Sequence, residues 1–476
     1  MYLGIALHLL SKISFVIGSY AMHFFLGRYL SEAEYGIIGT ILTVMNFEYI
    51  FFTDGVRQGM AKAISMGRYE EKDLIRKGIA FQMGIVLLFF VGTYGGAPVI
   101  ADILGDKMLI SYIRNLAFLL PFTGMYSLML GILNGHKAFR EEAGAGIIYP
   151  VLKLSVIPAV VFVFHDAIFA TQMGFLFAAV LISLTSGVFV WRIREQFCCE
   201  SAEKMPIGEY TKTATSYLLL FGASTFMMNL DTLILKRVSL DNEIVGYYTG
   251  VVNFAKIPYY LLTAFYTVVL PVVTGSYVQG KIEEAREKIT DVISLVLGFI
   301  LPVITVVSAA AGWILTIFYR PSYVRGENAL SCLIFAIMFL GMTLIFSMIL
   351  SAADKKMLIT INSLGMLVLQ AVLCVLLTMK YSLTGTAVAT LITAGIGMLV
   401  SGVATGKVFG CFWTKKHTLL LLVNMTAYVG FFILFRSLQI SNFFLLVGLC
   451  AVCYILMAGF GTGFLGMLKN LRFIRR

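Results

Sequence analysis

The sequence predicts an all-α polytopic membrane protein with about fourteen transmembrane helices. Of its 476 residues, 59% are hydrophobic and 13% are charged, and the mean hydropathy is +0.90. A soluble globular protein carries about 25% charged residues, so this chain lacks the polar surface that a water-facing shell needs. Its apolar residues are gathered in long runs, and its basic residues are gathered between them. Soluble enzymes, nucleic-acid-binding domains and disordered chains are therefore excluded.

A helix needs about 20 mostly apolar residues to cross the hydrocarbon of a bilayer. Fourteen runs of this kind occur, and we number them TM1 to TM14. They lie near 2–27, 36–53, 79–101, 113–133, 145–164, 167–191, 213–235, 244–270, 291–318, 328–350, 357–379, 381–406, 417–435 and 441–460. The first run is too long for the core of a signal peptide and lacks a small-residue cleavage site, so it is interpreted as the first span.

The basic residues predict the orientation of these spans. The connections after even-numbered spans, together with the C-terminal tail, contain 24 Lys and Arg, whereas the connections after odd-numbered spans contain 9, counting Arg114 at the edge of TM4. The remaining three, Lys12, Lys153 and Lys256, lie inside predicted spans. Because cytoplasmic connections carry the excess of Lys and Arg, both termini are predicted to be cytoplasmic and the protein to be a multi-pass protein of the cell membrane.

The chain also repeats itself at an offset of 207 to 219 residues. The matching pairs are Val44–Ile50 with Val251–Ile257, Leu26–Arg28 with Leu235–Arg237, Gly67–Glu71 with Gly280–Glu284, Lys137 with Lys356, and Gly146 with Gly365. Six spans separate equivalent positions, so the halves are parallel repeats, an arrangement typical of transporters. We predict an N-lobe at 1–191 (TM1–TM6), a cytoplasmic linker at 192–212, a C-lobe at 213–410 (TM7–TM12), and TM13–TM14 with a basic tail at 411–476.

Ionisable side chains inside a membrane are costly and mark transport pathways by default. TM8 carries a polar stripe along one helical face: Thr249, Asn253, Lys256, Tyr260, Thr263 and Thr267. A seam of interhelical hydrogen bonds is the alternative to a water-filled cavity. Lys256 favours the cavity, because a central lysine needs water or an anion. We therefore place Asn253, Lys256 and Tyr260 in a substrate-binding site.

Three further cations are candidate substrate-binding residues of the N-lobe. Lys153 lies in the middle of TM5, where a cavity role is favoured. Lys12 lies close enough to the cytoplasmic end of TM1 to extend its ammonium to the interface instead. Arg57 follows TM2 and has the alternative role of a positive-inside anchor.

Two acids are candidate charge partners or coupling-ion sites. Glu48 in TM2 is expected to pair with a cavity cation such as Lys12 or Lys153. Asp231, near the outer end of TM7, is expected to cap or to pair with Lys236 or Arg237. Cations from both lobes indicate an anionic cargo, such as a pyrophosphate or an acidic sugar, because a low dielectric magnifies their charge.

The sequence contains no GxxxxGK[ST], HExxH or GxSxG motif. The connections are short, so we expect no extramembrane catalytic domain, no enzyme activity and no cofactor. Cys450 and Cys453 have CxxC spacing in an apolar span without a nearby His or acid, so we expect packing residues and no metal site.

Several short motifs resemble one family of exporters. The segment Phe25–Gly36 (FLGRYLSEAEYG) looks like that family's LGR-L-xx-x-EYG segment. In the second half, Val245–Tyr248 followed by Lys256–Pro258 resembles its VGxY…KxP pattern, and Pro271 matches the proline that ends that stretch. The chain thus resembles the multidrug/oligosaccharidyl-lipid/polysaccharide (MOP) exporter superfamily, in particular its polysaccharide-transport branch of Wzx-type flippases.

The resemblance implies a MOP/MATE-like fold of two six-helix lobes around a cationic central cavity that opens alternately to either side. It implies a cargo of oligosaccharide on a polyprenyl pyrophosphate carrier for surface polysaccharide synthesis, with membrane lipids and polysaccharide assembly proteins as partners and no nucleic acid. TM1 lacks the acid on which drug-exporting relatives rely, which disfavours a cation-coupled MATE-like antiporter, although Glu48 keeps that alternative open. A glycosyltransferase and a membrane scaffold of an assembly complex are the non-transport alternatives.

Overall fold

In the computed structural model, all regular elements of the described residues are helices, as the composition predicts. The structure describes residues 2–52, 54–196, 203–260, 279–438 and 443–460, with isolated positions at 262, 273 and 275–277. The chain divides into two compact units, Met1–Thr249 and Gly250–Arg476. This division falls within TM8 rather than in the predicted linker at 192–212, and the two-lobe repeat stays a prediction.

The first unit is built from helices α1 to α10 and the beginning of α11. Their bounds are α1 Tyr2–Tyr29, α2 Glu32–Phe52, α3 Asp54–Ser65, α4 Glu71–Leu104, α5 Leu109–Ala117, α6 Leu119–Gly135, α7 Phe139–Lys153, α8 Val156–Pro158, α9 Ala167–Arg192, α10 Ile207–Ser239 and α11 Asn242–Ala255. A π-helical turn, Ala159–Val163, follows α8, and a 3₁₀ turn, Arg194–Gln196, follows α9.

The second unit begins inside α11, and its described residues contain seven further helices. They are α12 Ile282–Leu295, α13 Leu301–Ala309, α14 Ala311–Phe318, α15 Glu327–Ala352, α16 Lys356–Phe409, α17 Lys415–Ser437 and α18 Phe443–Phe460. A π-helical turn, Val296–Ile300, joins α12 to α13, and a 3₁₀ helix, Pro321–Gly326, precedes α15.

The predicted spans correspond closely to these helices. Among the described residues, nine segments are long and apolar enough to cross a membrane. The longest, Met357–Phe409, is bent at Ser382, where φ is 51° and ψ is −135°. Ser382 therefore separates TM11 from TM12 within two residues of the predicted boundary. This agreement confirms the all-α polytopic fold class.

Several spans differ from their prediction: TM4 is interrupted at Phe118 and TM5 after Lys153, and TM2 and TM9 differ as well. The helical segment of TM2 continues to Ser65 as α3, which places Arg57 inside a helix rather than after one. TM9 is predicted as one helix over 291–318, but α13 ends at Ala309 and α14 begins at Ala311. Hydropathy does not detect this break, because the residues on both sides of Ala310 are apolar.

Glycine allows α2 and α11 to approach each other closely in the first unit. A Cβ atom on Gly36 would lie 1.9 Å from the Asn242 carbonyl oxygen, and one on Gly246 would lie 1.9 Å from the Glu32 carbonyl oxygen. Real Cβ contacts are never that short, so only glycine fits either position.

A second close contact packs α1 against α7. A Cβ atom on Gly18 would lie 2.8 Å from Pro150 Cβ, and one on Gly146 would lie 2.0 Å from Ser11 Oγ. This contact brings the aromatic side chains of α1 beside the C-terminal end of α7, where Lys153 lies.

The core of the second unit is formed mainly by α12, α13 and α15. Its buried members include Ile289, Ile293, Ile300, Ile304, Ile334, Met338 and Ile345. Full burial of such a side chain stabilises a water-soluble fold by about 1.5–3 kcal/mol. In a bilayer that gain is smaller, since the alternative surroundings are hydrocarbon, and close packing contributes the larger share.

Candidate functional site

Lys153 is surrounded by aromatic rings in the first unit. Its Nζ atom lies 4.5 Å from the ring centroid of Tyr149, 5.5 Å from that of Phe15 and 5.9 Å from that of Phe175. Cation–π attraction operates within about 6 Å of a ring centroid. We call Lys153 and these three rings the aromatic cage.

Three helices supply the aromatic cage. Tyr149 and Lys153 share one face of α7 at a spacing of four residues, whereas Phe15 comes from α1 and Phe175 from α9. Helix α7 ends at Lys153, ahead of Pro158, whose ring nitrogen cannot donate the helical hydrogen bond. The helix end thus holds the lysine beside rings from two other spans.

The charge of Lys153 has no acidic counter-ion in the described part of the chain. None of the ion pairs found among the described residues includes this ammonium. A buried ammonium is costly unless it is paired or hydrogen-bonded. The cage therefore holds a positive charge that an anionic ligand would stabilise.

Arg57, in contrast, is paired within the protein. Its Nη2 atom lies 2.6 Å from Glu142 Oε1, and its side chain is 28% exposed while that of Glu142 is 3% exposed. Asn134 Nδ2 donates a hydrogen bond of 2.9 Å to the other carboxylate oxygen of Glu142. The structure thus places Arg57 in a helix-linking ion pair between α3 and α7.

Tyr126 connects this ion pair with the aromatic cage. Its ring centroid lies 5.0 Å from that of Tyr149, and its hydroxyl lies in the field of both Arg57 and Glu142. Arg57 and Lys153, two of the predicted binding residues, are therefore brought into one polar and aromatic tract of the first unit. We call it the Arg57–Lys153 tract.

Glu48 is buried in α2 and bonds to a hydroxyl group. Thr93 of α4 donates a hydrogen bond to Glu48 Oε1, and none of the ion pairs among the described residues includes Glu48. Its Oε2 atom has no hydrogen-bond partner in the described part of the chain. The expected pairing with Lys153 is not formed, because aromatic rings occupy the surroundings of that ammonium.

Asp231 was expected to cap the helix or to pair with Lys236 or Arg237, and Lys236 bonds to other groups. The buried Lys236 ammonium binds Asp106 Oδ2 at 2.6 Å and the Asn242 side chain instead. Asp231 accepts a 2.7 Å hydrogen bond from the Tyr248 hydroxyl of α11. Asp106 comes from the connection between α4 and α5. Lys236 thus pairs with an acid distant along the chain rather than with Asp231 on its own helix.

In the second unit, the structure places three of the predicted residues near the end of α11. Asn253 is partly buried in α11, Lys256 lies in the turn that follows it, and Tyr260 is 38% exposed one helical turn later. Thr263 and Thr267 lie outside the described residues, as does the side chain of Lys12, although its backbone belongs to α1.

At Thr249, the structure favours the seam over the cavity. Its hydroxyl donates to the Val245 carbonyl, and its side chain packs where a Cβ atom on Gly39 would meet it at 2.0 Å. The polar stripe of TM8 therefore begins as a contact between α11 and α2.

Sequence reasoning missed Glu142 and the three rings of the cage. Glu142 lies just before the predicted start of TM5, outside the spans in which an acid is conspicuous. The spacing of Tyr149 and Lys153 was a usable signal, whereas Phe15 and Phe175 give none in a chain with 38 phenylalanines. Among the described residues, no group of three or more His, Cys, Asp or Glu has a metal-binding arrangement.

Comparison with known proteins identifies the family. Residues 25–325, more than half of the chain, match the family model described as "Polysaccharide biosynthesis protein". The chain belongs to this family. A relative from Bacillus subtilis (strain 168), "Lipid II flippase MurJ", is 22% identical over 319 residues, which cover 60% of this chain and 58% of that protein. The match thus spans less than two thirds of the relative's length.

Solved structures show the same fold. A "Lipid II flippase MurJ, inward closed conformation" aligns over 100% of both chains with a TM-score of 0.76 and 15% identity. An inward-facing multidrug resistance MATE family transporter of the MOP superfamily aligns over 85% of this chain and 98% of its own, with a TM-score of 0.69 and 14% identity. A MOP superfamily transporter from Pyrococcus furiosus aligns over 86% and 96%, with a TM-score of 0.60 and 13% identity. The polysaccharide biosynthesis family member described here therefore has the polytopic fold of the MOP superfamily.

Proposed function

We propose that this protein is a flippase that moves polyprenyl-pyrophosphate-linked oligosaccharides across the cytoplasmic membrane for surface polysaccharide synthesis. Membership of a polysaccharide biosynthesis family and the MurJ-like fold support a transporter of lipid-linked cargo rather than a catalyst. The polar head of the cargo passes through the protein by alternating access, while the lipid tail stays in the bilayer.

The single observation that supports an anionic cargo is the aromatic cage. Lys153 is a membrane-embedded ammonium held by three rings, without an acidic counter-ion in the described part of the chain. A pyrophosphate supplies the negative charge that this site lacks, and a charge-assisted hydrogen bond to it is about twice as strong as a neutral one. In this proposal Lys153 binds the head of the cargo in the first unit. Lys12, and in the second unit Asn253, Lys256 and Tyr260, stay proposed substrate-binding residues.

The proposal is tested by replacing Lys153 with glutamine, which removes the charge and keeps most of the length. We expect the purified variant in proteoliposomes to lose at least about tenfold in the rate of flipping of a fluorescent polyprenyl-pyrophosphate oligosaccharide, equivalent to losing about 1.4 kcal/mol of transition-state stabilisation. Lys153→Arg should retain part of the rate, because the positive charge persists.

Lys380→Gln is the matched control, since this lysine is exposed and lies near the bend at Ser382, far along the chain from the cage. It should flip at the rate of the unmodified protein. If Lys153→Gln also flips at that rate, the cage does not bind the cargo head.

A cation-coupled drug antiporter is the second candidate, and Glu48 is the observation that favours it. A buried carboxylate with one oxygen unbonded in the described part of the chain is suited to bind a proton or a sodium ion. Efflux of a cationic dye driven by a sodium or proton gradient, and abolished by Glu48→Gln, would favour this function. Flipping that is unaffected by either gradient favours the flippase.

A further inference from the structure

An apolar cavity lies inside the second unit, separate from every residue used in the proposed function. Its volume is about 820 Å³, and it is lined by residues of α12, α13, α15, α16 and α17. Its inner wall includes Leu297, Leu301, Met338, Met342 and Phe346. A dry cavity of about 150 Å³ holds one benzene ring, so this one has room for a hydrocarbon chain several times larger.

The cavity opens sideways between α16 and α17. The lining residues at this opening are strongly exposed although they belong to membrane spans: Leu399, Val403, Met425 and Val429 are 57–62% exposed. Exposed apolar residues in a membrane span face lipid tails. The cavity is therefore continuous with the hydrocarbon of the bilayer.

One end of the cavity lies at the membrane–water boundary. Trp413 lines this end, is 46% exposed and donates a 2.9 Å hydrogen bond to Thr418 Oγ1. Tryptophan is enriched at this boundary, because its ring is apolar and its N–H group is polar. Cys411 lines the same end and is exposed.

The same end is strongly basic. Lys407, Lys415 and Lys416 are exposed on either side of Trp413. Arg286, which lies beside Gly410, is bound to Glu283. Lys416, Lys288 and Glu287 lie in the field of Asp291. Positive charge predominates at this end, because the three lysines, Arg286 and Lys288 outnumber these three acids.

We infer that this cavity binds one acyl chain of an anionic phospholipid, whose headgroup is held by Lys407, Lys415 and Lys416. The cavity supplies an apolar volume open to the bilayer. Its boundary end supplies positive charges that attract the negatively charged phosphodiester of the headgroup. This inference does not depend on the proposed function.

A resident phospholipid explains the charge distribution better than the cargo does. A cargo headgroup crosses from one side of the membrane to the other, whereas the three lysines lie at one end of the cavity. A headgroup held at that end stays in one leaflet. The long-lived occupant is therefore a lipid of the bilayer itself.

The test uses the full-length protein in nanodiscs of phosphatidylglycerol and phosphatidylcholine with identical acyl chains, followed by native mass spectrometry of the released protein. We expect one retained phosphatidylglycerol. Gly402 lines the cavity, and a Cβ atom there would lie 3.4 Å from Phe346, so Gly402→Leu fills the cavity and should abolish retention. Gly365→Leu is the control, because no atom lies within 4 Å of a Cβ atom at that position.

A second variant tests the headgroup without changing the packing. Lys407→Gln, Lys415→Gln and Lys416→Gln together should reduce the preference for phosphatidylglycerol over phosphatidylcholine by about fivefold for each lysine that contacts the phosphate, equivalent to about 1 kcal/mol each. Lys380→Gln should leave the preference unchanged. Equal retention by Gly402→Leu and the unmodified protein, an unchanged preference in the triple variant, or polyprenyl phosphate as the retained lipid would overturn the inference.

Discussion

Charged side chains of this protein differ in how their charge is compensated. Arg57 has a carboxylate partner, Lys236 has a carboxylate and an amide, and Lys153 has three aromatic rings. Removing the partner of a buried charge is costly, because the remaining charge stays out of water. Arg57 and Lys236 are therefore expected to stabilise the fold, whereas Lys153 is expected to be available for a ligand.

Glu142→Gln should destabilise the first unit, because it leaves the Arg57 guanidinium without a counter-ion. The loss for a fully buried pair is about 3–5 kcal/mol. Since Arg57 is 28% exposed, we expect about 2 kcal/mol, measured as a lower midpoint of thermal unfolding in detergent. Glu203→Gln breaks the exposed ion pair with Arg68 and serves as the control, with little expected change in the midpoint, because water screens exposed charges. Equal midpoints for the two variants would contradict this prediction.

Asp106 provides a prediction about pH. Burial opposes ionisation of this carboxyl, but the hydrogen bonds from Lys236 and Asn242 and the charge of Lys236 outweigh it and lower the pKa of Asp106. A carboxyl with a lowered folded-state pKa stabilises the fold above its unfolded pKa of about 3.9, and this stabilisation is lost as the pH falls through the folded-state pKa.

The unfolding midpoint should therefore be higher in the unmodified protein than in Asp106→Asn between pH 7 and pH 5, and the difference should shrink below about pH 4. The comparison needs only thermal scans of both proteins across this range. A difference that is constant down to pH 3 would exclude a role for the ionised carboxylate.

The partners of these side chains explain why the sequence predicted the site only in part. Lys153 was found because a lysine inside an apolar span is conspicuous. Its cage was not, since Phe15 and Phe175 lie 138 and 22 residues away along the chain and are brought close by α1 and α9. Similarly, Glu142 is 85 residues from Arg57. The sequence identifies an ionisable residue within a span, but tertiary packing determines which side chains surround its charge.

At the scale of helices, the contact between α2 and α11 depends on the two glycines at positions 36 and 246. Gly246→Ala places a Cβ atom 1.9 Å from the Glu32 carbonyl oxygen, so the two helices must move apart. We expect the typical cost of overpacking, about 1–3 kcal/mol, as a lower unfolding midpoint.

Gly84→Ala is the control for this substitution, because nothing lies within 4 Å of a Cβ atom at Gly84 of α4. There the gain in helix propensity, about 1 kcal/mol, should raise the midpoint. Both substitutions replace glycine with alanine, and they are expected to change the unfolding midpoint in opposite directions. A stabilised Gly246→Ala variant would show that α2 and α11 do not approach as described.

Helix positions were the most predictable property of the chain, and helix interruptions the least. The long apolar runs determined where the spans lie, as the bend at Ser382 illustrates. The break at Ala310 and the π-helical turn at Ala159–Val163 are backbone events within apolar sequence, and hydropathy carries no signal for either.

For the whole molecule, the distribution of basic residues predicts that both termini are cytoplasmic. In a cysteine-free background, Asp354→Cys should react with a membrane-impermeant maleimide only after the cells are permeabilised, which gives the reagent access to the cytoplasmic side. Tyr381→Cys, on the opposite side of TM11, should react in intact cells. Both positions are exposed at ends of helical segments, so accessibility within the protein does not limit either reaction. The reverse pattern would invert the predicted topology.

The aromatic cage has a consequence for turnover. A carboxylate beside Lys153 would compete with an incoming pyrophosphate and would have to be displaced in every cycle, whereas aromatic faces attract the ammonium without neutralising it. Under the proposed function, loading displaces no competing anion, and after release the ammonium returns to the attraction of the rings. Tyr149, Phe15 and Phe175 would then set the residence time of the cargo, which allows binding to be strong enough for capture and brief enough for delivery.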